Sequence, residues 1–243
     1  MRWKKASLEN CPGVPCVVTP PAPSFTCGTS TITDIDNNIY STVSIGAQCW
    51  TKENLKVTRY NDGSVIPDLT NSISNPWATA TSEARTEYVA AGVTGYVGTY
   101  GYLYNWYAVT DSRKLCPAGW HVPTDAEWTI MIKTLDPSQA VTSVNVLTFV
   151  GVQSATAGTI MKENSSLWST NLGTNTSGFS VLPGGFRRIG GSFINIRNAA
   201  WFWSATGLVN GSAWYRSLSN INGNVVRLST SQSVGASVRC LRD

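Results

Sequence analysis

The sequence predicts an α+β fold with few helices, small antiparallel sheets and long loops, preceded by a proline-rich extended arm. Three observations predict this class. Only 13% of the 243 residues are charged, about half the usual share, while glycine, serine, threonine and asparagine are abundant. Short runs of alternating apolar residues are separated by turn residues, which is typical of strands joined by loops. A single stretch has the clear spacing of an amphipathic helix.

The first 26 residues are predicted to form an arm or linker, and residues 27–243 a single domain. The stretch CPGVPCVVTPPAPSF holds five prolines, which favour an extended polyproline conformation. The opening MRWKKASLEN lacks the apolar core of an intact secretory signal. A cleaved signal, a fragment of a longer polypeptide and export inside a virus particle remain open. No run approaches the roughly 18 apolar residues of a membrane span, so no membrane insertion is predicted.

The next elements are predicted from turn residues. The stretch 31–50 contains two alternating apolar runs around DIDNN, which indicates a hairpin. We interpret DIDNN as a turn, because it lacks the downstream glycine and glutamate of a calcium-binding loop. Asn61-Asp62-Gly63 predicts a second turn. The stretch 75–92 is predicted to form a short helix that ends at Gly92.

The clearest helix signal covers residues 124–135. Thr124 is an N-cap residue, and Glu127 three positions later completes the sequence of a capping box. Trp128, Met131 and Ile132 recur at helical spacing and predict one buried face. After residue 136 the sequence predicts irregular chain, with short strands and turns from residue 184 to the end.

The cysteine count fits three disulfides in an oxidising compartment. Fifteen pairings are open to six cysteines. The preferred one joins near neighbours and adds one long closure. It pairs Cys11 with Cys16, Cys27 with Cys49 and Cys116 with Cys240. Structural zinc is not predicted, because there is no CxxC unit and the chain has one histidine.

No enzymatic activity and no cofactor are predicted. His121 is interpreted as a hydrogen-bonded core residue, and Asp125 and Glu127 as carboxylates that stabilise a helix start. The stretch LPGGFRRIGG lacks the lysine and hydroxyl residue of a phosphate-binding loop. The net charge of +4 is scattered along the chain, so nucleic acid is not a predicted partner.

Six motifs carry a family resemblance. They are TVSIGAQCWTKENLKVTRYNDGS, YGYLYNWYAV, LCPAGWHVPTDAEW, LPGGFR, FWSAT and SVRCLRD. In this order they resemble the Fibrobacter succinogenes major paralogous domain family, from Cys27 to Asp243. The resemblance implies a C-type-lectin-like fold, extracellular placement, occurrence in Bacteroidetes lipoproteins and adhesins, and no established catalysis. The fold is similar to that of formylglycine-generating enzymes and of phage receptor-binding proteins that are diversified by a retroelement.

The resemblance also implies structural roles. Trp120 and Trp128 would be core anchors, and the 124–135 helix would be the first helix of the lectin fold. The Cys116–Cys240 bond would tie the strand before that helix to the last strand. The aromatic segment 100–107 would fill the interface between sheet and loops. Gly184 and Gly185 would form a tight bend.

A calcium-dependent sugar site is not predicted. The tripeptides that bind calcium and sugar in such lectins are absent. Residues 164–242 contain no aspartate or glutamate, so a hard cation would find only neutral oxygen ligands there. Calcium-free stacking of a sugar on Trp201 or Trp214 remains a weaker alternative.

The stretch NAAWFWSATGLVNGSAWYRS, residues 198–217, predicts a ligand surface. Alternation puts Trp201 and Trp203 on one strand face and Phe202 on the other. Trp203 is interpreted as core, and one of Trp214 and Tyr215 is expected to face out. Aromatic residues among serine, asparagine and glycine are typical of antibody-like contact surfaces, although ordinary polar loops have the same composition. The predicted ligand-binding residues are Trp201, Phe202, Leu208, Val209, Asn210, Trp214, Tyr215, Arg216, Asn220, Asn222, Asn224 and Arg227.

The predicted function is therefore non-enzymatic binding or adhesion to a protein or glycan, outside a cell, on its surface or on a virion. Two alternatives remain. In the first, the domain is a structural subunit that forms homo-oligomers through its arm. In the second, less favoured one, it is an oxidoreductase similar to formylglycine-generating enzymes.

Overall fold

The computed structural model describes residues 24–70, 77, 79–90, 92–138 and 150–243. In these ranges the chain forms short helices and three antiparallel or mixed sheets, which confirms the α+β class. The helices are α1 (Tyr96–Tyr100), α2 (Trp106–Val109), α3 (Asp125–Leu135) and α4 (Ala157–Met161). The strands are β1 (Thr31–Thr33), β2 (Ile39–Ile45), β3 (Gln48–Thr51), β4 (Arg85–Thr86), β5 (Leu103–Tyr104), β6 (Trp120–His121), β7 (Gly151–Ser154), β8 (Gly184–Arg187), β9 (Phe193–Ile196), β10 (Ala199–Gly207), β11 (Ser212–Ser219), β12 (Val225–Ser231) and β13 (Leu241–Arg242).

The first sheet has five antiparallel strands in the order β1-β2-β3-β13-β6. The predicted turn between β1 and β2 is confirmed. Its geometry depends on Asp34, whose carboxylate accepts hydrogen bonds from the backbone of Asp36 (2.9 Å) and Asn38 (2.9 Å) and from the Tyr40 hydroxyl (2.7 Å). A side chain that bonds its own turn in this way is the usual role of aspartate in loops.

The second sheet has six strands in the order β7-β12-β11-β10-β8-β9, and only β8 and β10 run parallel. Strands β10, β11 and β12 have nine, eight and seven residues and are longer than predicted for this region. Strands β8, β9 and β13, with four, four and two residues, are short as predicted. The small neutral residues that suggested loops alternate with large buried residues along these strands. Their period of two is the signal of a half-buried strand.

Helix α3 begins as predicted. The Thr124 hydroxyl accepts a hydrogen bond from the Glu127 backbone (3.3 Å), and the Glu127 carboxylate accepts one from the Thr124 backbone (2.8 Å). This reciprocal pair is a capping box. Trp128 and Met131 on the inner side of the helix are fully buried.

The six-stranded sheet is packed on both faces. On one face, Phe202 and Leu218 contact the α3 side chains around Trp128. On the other face, Trp203 and Tyr215 pack with Tyr104 and the segment before β13. The expected anchors Trp120 and Trp128 are both buried. In the described ranges no helix has both the length and the apolar character needed to cross a bilayer.

Two of the predicted disulfides are present. Cys27 bonds Cys49, and Cys116 bonds Cys240. Cys116 precedes β6 and Cys240 precedes β13, so this bond joins two strands that are neighbours in the first sheet. The predicted Cys11–Cys16 pair lies outside the described residues, as does most of the predicted arm.

Two local predictions are wrong. The described part of the stretch 75–92 contains no helix, and its Arg85 and Thr86 form strand β4 by pairing with β5. Gly184 and Gly185 belong to strand β8 and form no bend there. Gly185 has a φ of +66°, and an added Cβ would lie 2.5 Å from the Ile194 carbonyl oxygen. This glycine therefore allows β9 to approach β8 closely.

Candidate binding surface

The structure divides the twelve predicted ligand-binding residues into two groups. Seven are at least partly accessible, and Val209 is fully exposed. Five are buried, and their prediction as ligand contacts is corrected. These five side chains pack against α3, against β7 or against the aromatic rings on the sheet. The buried residues are Phe202, Trp214, Tyr215, Arg216 and Arg227. The accessible ones are Trp201, Leu208, Val209, Asn210, Asn220, Asn222 and Asn224.

Trp201 is half-buried because rings cover both of its faces. Phe186 stacks on one face, with ring centroids 3.5 Å apart, and Tyr215 on the other, at 4.2 Å. Stacked aromatic rings at such distances pack as a unit. Only the edge of the indole is left for a ligand, so the stacking of a sugar on Trp201 is excluded in this conformation.

Trp214 is also unsuited to sugar stacking. The indole is 2% exposed, and the Arg227 guanidinium lies 3.5 Å from its ring centroid. The expectation that Trp214 or Tyr215 faces out is therefore wrong, because both side chains are buried. The physical reason is that both faces of the sheet are covered at these two positions, by Arg227 at Trp214 and by the Trp201 ring at Tyr215.

The buried charges form one network at the start of α3. Arg216 donates to Asp125 Oδ1 (2.7 Å), and Arg227 donates to Asp125 Oδ2 (2.8 Å). Arg216 also donates to Gln153 Oε1 (2.7 Å) and Thr129 Oγ1 (3.1 Å). Burial lowers the pKa of Arg216 to about 10, and the Asp125 charge acts in the opposite direction. These arginines connect the sheet to the helix and are not available to a ligand.

A different surface remains open on the second face of the sheet. Strand pairing aligns Val152, Val226, Ser217 and Trp201 in one row across β7, β12, β11 and β10. Leu228 is two residues further along β12 and on the same face. Val152 is 47% exposed, and the other four are half-buried. We call these five residues the outer patch. None of them carries a charge.

The hairpin tip that joins β10 and β11 is close to the outer patch. It consists of Leu208, Val209, Asn210 and Gly211, and Gly211 has a φ of +74°. Leu228 pairs with Tyr215, which is four residues from Gly211. At about 3.3 Å per residue, the tip begins roughly 13 Å from the patch. The predicted residues Leu208, Val209 and Asn210 lie in this tip, and none of them carries a charge.

The predicted residues Asn220, Asn222 and Asn224 are in the turn at the opposite end of β11, which Lys162 holds in place. The fully buried Lys162 ammonium donates to the carbonyl oxygens of Ser219 (2.8 Å) and Asn222 (2.6 Å). Burial lowers the pKa of Lys162. The accessible predicted residues of the two turns are therefore divided between the two ends of β11.

We expect Lys162→Met to lower the free energy of unfolding by about 1–3 kcal/mol, because two partly buried carbonyl groups lose their charged donor. Amide hydrogen exchange in residues 219–224 should become faster. Urea unfolding and exchange mass spectrometry measure both effects. Lys133→Met, at an exposed site on α3, is the matched control and should change neither quantity. Equal protection of the turn in both variants would contradict the proposed role of Lys162.

His121 is hydrogen-bonded as predicted but is not a core residue. Its side chain is 35% exposed. Its Nδ1 lies 2.6 Å from Asp243 Oδ1, and its Nε2 lies 3.0 Å from Glu127 Oε1. Burial of the Glu127 carboxylate raises its pKa. Hydrogen bonds from Thr124 and the nearby His121 lower it by more, so the pKa of Glu127 is lowered from its usual value. Both ring nitrogens of His121 are thus hydrogen-bonded to carboxylates.

The fold and this surface define a small disulfide-bonded α+β domain with an uncharged sheet face. Its family is given by a sequence match. The family model described as Fibrobacter succinogenes major domain matches residues 43–242. The chain belongs to this family. Comparisons with curated proteins and with solved structures each found no match.

Proposed function

We propose that this domain is a non-enzymatic, extracellular binding module that recognises a protein through the outer patch and the adjacent hairpin tip. The observation that carries the proposal is the uncharged row of partly exposed side chains from Val152 to Trp201. The centres of protein interfaces are likewise depleted in charge and enriched in aromatic and apolar residues. The two disulfides are consistent with an oxidising compartment.

Rigidity behind the patch supports recognition by contact. The backbone of the patch belongs to four hydrogen-bonded strands. On the far face, Asp125 ties β11 and β12 to α3 through Arg216 and Arg227. A surface that is ordered before binding loses little conformational entropy when a partner docks. A protein partner is favoured over a glycan because Trp201 offers an edge and no open ring face.

The chemistry of the remaining groups supports a role without catalysis. His121 is held between Glu127 and Asp243, and no hydroxyl or thiol contacts its ring nitrogens in the described part of the chain. The cysteines of that part are all in disulfides. An oxidoreductase that uses a reactive cysteine pair would need a free thiolate.

We also propose a C-type-lectin-like fold and display at a cell surface or on a virion. Support for the fold comes from β13, which inserts between β3 and β6 and brings the last strand beside the first sheet strands. The Cys116–Cys240 bond fixes that closure. A determined structure with β13 at another position would contradict the fold proposal.

The binding proposal predicts that charge on the patch abolishes recognition. Leu228→Glu and Val226→Glu each introduce a carboxylate that must lose its hydration when a partner docks. On an array of purified secreted and cell-surface proteins, we expect every specific signal to fall at least tenfold for both variants. Circular dichroism and urea unfolding verify that the variants are folded.

Ile130→Glu is the matched control, because Ile130 is 54% exposed on α3, which packs on the opposite face of the sheet. This variant should retain all signals. Specific signals that survive both patch variants, or that disappear only in the Ile130 variant, would place recognition elsewhere and refute the proposal.

A further inference from the structure

Two adjoining cavities form a groove away from the outer patch. The first has a volume of about 200 Å³ and is lined by Lys52, Glu53, Thr99, Glu163, Ser180 and Leu182. The second has a volume of about 230 Å³, and Tyr100, Leu167, Ile196 and Arg197 are among its lining residues. Thr99 lines both cavities, so they are continuous across the surface of α1.

Hydrogen bonds from buried side chains fix the walls of the groove. The fully buried Arg239 guanidinium donates to Asn54 Oδ1 (2.6 Å), to the Thr51 carbonyl (2.9 Å) and to the Ser180 carbonyl (3.1 Å). Asn54 in turn donates to the Tyr100 carbonyl (2.7 Å). Segments that are far apart in sequence are thus joined around the first cavity before any ligand binds.

The charged side chains at the first cavity carry both signs. In the described ranges, no ion pair includes Lys52, Glu53 or Glu163. Glu163 is also the only acidic residue between positions 137 and 242. Burial lowers the pKa of Arg239 to about 9, and the charges of Glu53 and Glu163 act in the opposite direction. When Arg239 is counted with the two carboxylates and Lys52, the formal charge at the first cavity is zero. Arg197 adds one positive charge at the second cavity.

We propose that this groove binds a neutral saccharide. One sugar ring would occupy the first cavity, where its hydroxyl groups donate to Glu53 and Glu163 and accept from Lys52. Hydrogen bonds that involve a charged partner are stronger than neutral ones, and a neutral ligand leaves the local charge balanced. A cavity below the roughly 300 Å³ of a drug-sized site suits a single ring. The apolar side of a second unit would pack on Tyr100, Leu167 and Ile196.

The test uses the whole chain and a panel of neutral sugars: glucose, galactose, mannose, N-acetylglucosamine and their disaccharides. Saturation-transfer NMR detects binding, and backbone chemical shifts locate it. We expect at least one neutral sugar to shift the amides of the groove. Thr99→Trp fills the junction of the two cavities and should abolish binding, whereas Glu163→Gln should weaken it at least fivefold.

Thr110→Trp provides the matched control, since Thr110 is exposed and lines neither cavity. It should bind as the unaltered chain does. The proposal is overturned if no sugar of the panel shifts the groove amides, if Thr99→Trp retains binding, or if glucosamine and lysine amide bind where neutral sugars do not. The inference is independent of the proposed protein partner, because Leu228→Glu should leave sugar binding unchanged.

Discussion

Replacement of both Cys116 and Cys240 by alanine is expected to lower the free energy of unfolding by about 5 kcal/mol. The bond closes a loop with a sequence separation of 124, and the entropy that a cross-link removes from the unfolded chain grows with the logarithm of loop length. The bond also holds β13 beside β6. Urea unfolding under non-reducing conditions measures the loss.

The double alanine variant of Cys27 and Cys49 is the matched control. Its loop has a separation of 22, for which the same relation gives about 3.4 kcal/mol. The long closure should therefore cost more to remove than the short one by roughly 1.5 kcal/mol. An equal or smaller loss for the Cys116 and Cys240 variant would contradict the loop-entropy account. Non-reducing peptide mapping of the unaltered chain also tests the predicted Cys11–Cys16 pair.

Asp125→Asn should lower the free energy of unfolding by about 3–5 kcal/mol. Asp125 is the carboxylate in contact with both Arg216 and Arg227, and all three side chains are buried. An amide removes the negative charge and leaves two guanidinium groups in a poorly solvated site, which is the costly way to break a buried ion pair. Urea unfolding measures the change.

Asp243→Asn makes the same chemical change at a site where the side chain is 61% exposed. Solvent screens the contact between Asp243 and His121, so the free energy of unfolding should fall by less than about 1 kcal/mol. The double variant Asp125→Asn with Arg216→Met should lose less than the sum of its single variants, because the two residues interact directly. If Asp125→Asn is no more destabilising than Asp243→Asn, the network does not stabilise the fold.

Features with local signals could be predicted from the sequence. Helix α3 follows from its capping box and apolar spacing, and the first hairpin follows from an aspartate-rich turn. The two observed disulfides agree with the preferred pairing. For α3, the hairpin and the Cys27–Cys49 bond, the deciding residues are close in sequence. Cys116 and Cys240 remain for each other once the near neighbours are paired.

Features that depend on distant contacts could not be predicted. Arginines are usually exposed, and the burial of Arg216 and Arg227 depends on Asp125, which is 91 and 102 positions away from them. The sequence did hold one signal for the burial of Arg216. Arg216 and Leu218 are two residues apart on one strand, so their side chains lie on the same face of the sheet. Val152, Val226 and Leu228 were missed because their exposure depends on which strands have covering elements. The groove was missed for the same reason, since its walls come from separate segments.

The covalent connectivity has a mechanical consequence. Tension applied to both ends of the chain would cross from Cys27 to Cys49 and from Cys116 to Cys240 through sulfur atoms. Every strand of the six-stranded sheet lies between positions 116 and 240, so the pulling force bypasses that sheet. Tension between the two ends would thus load residues 49–116 but not the loop that carries the outer patch.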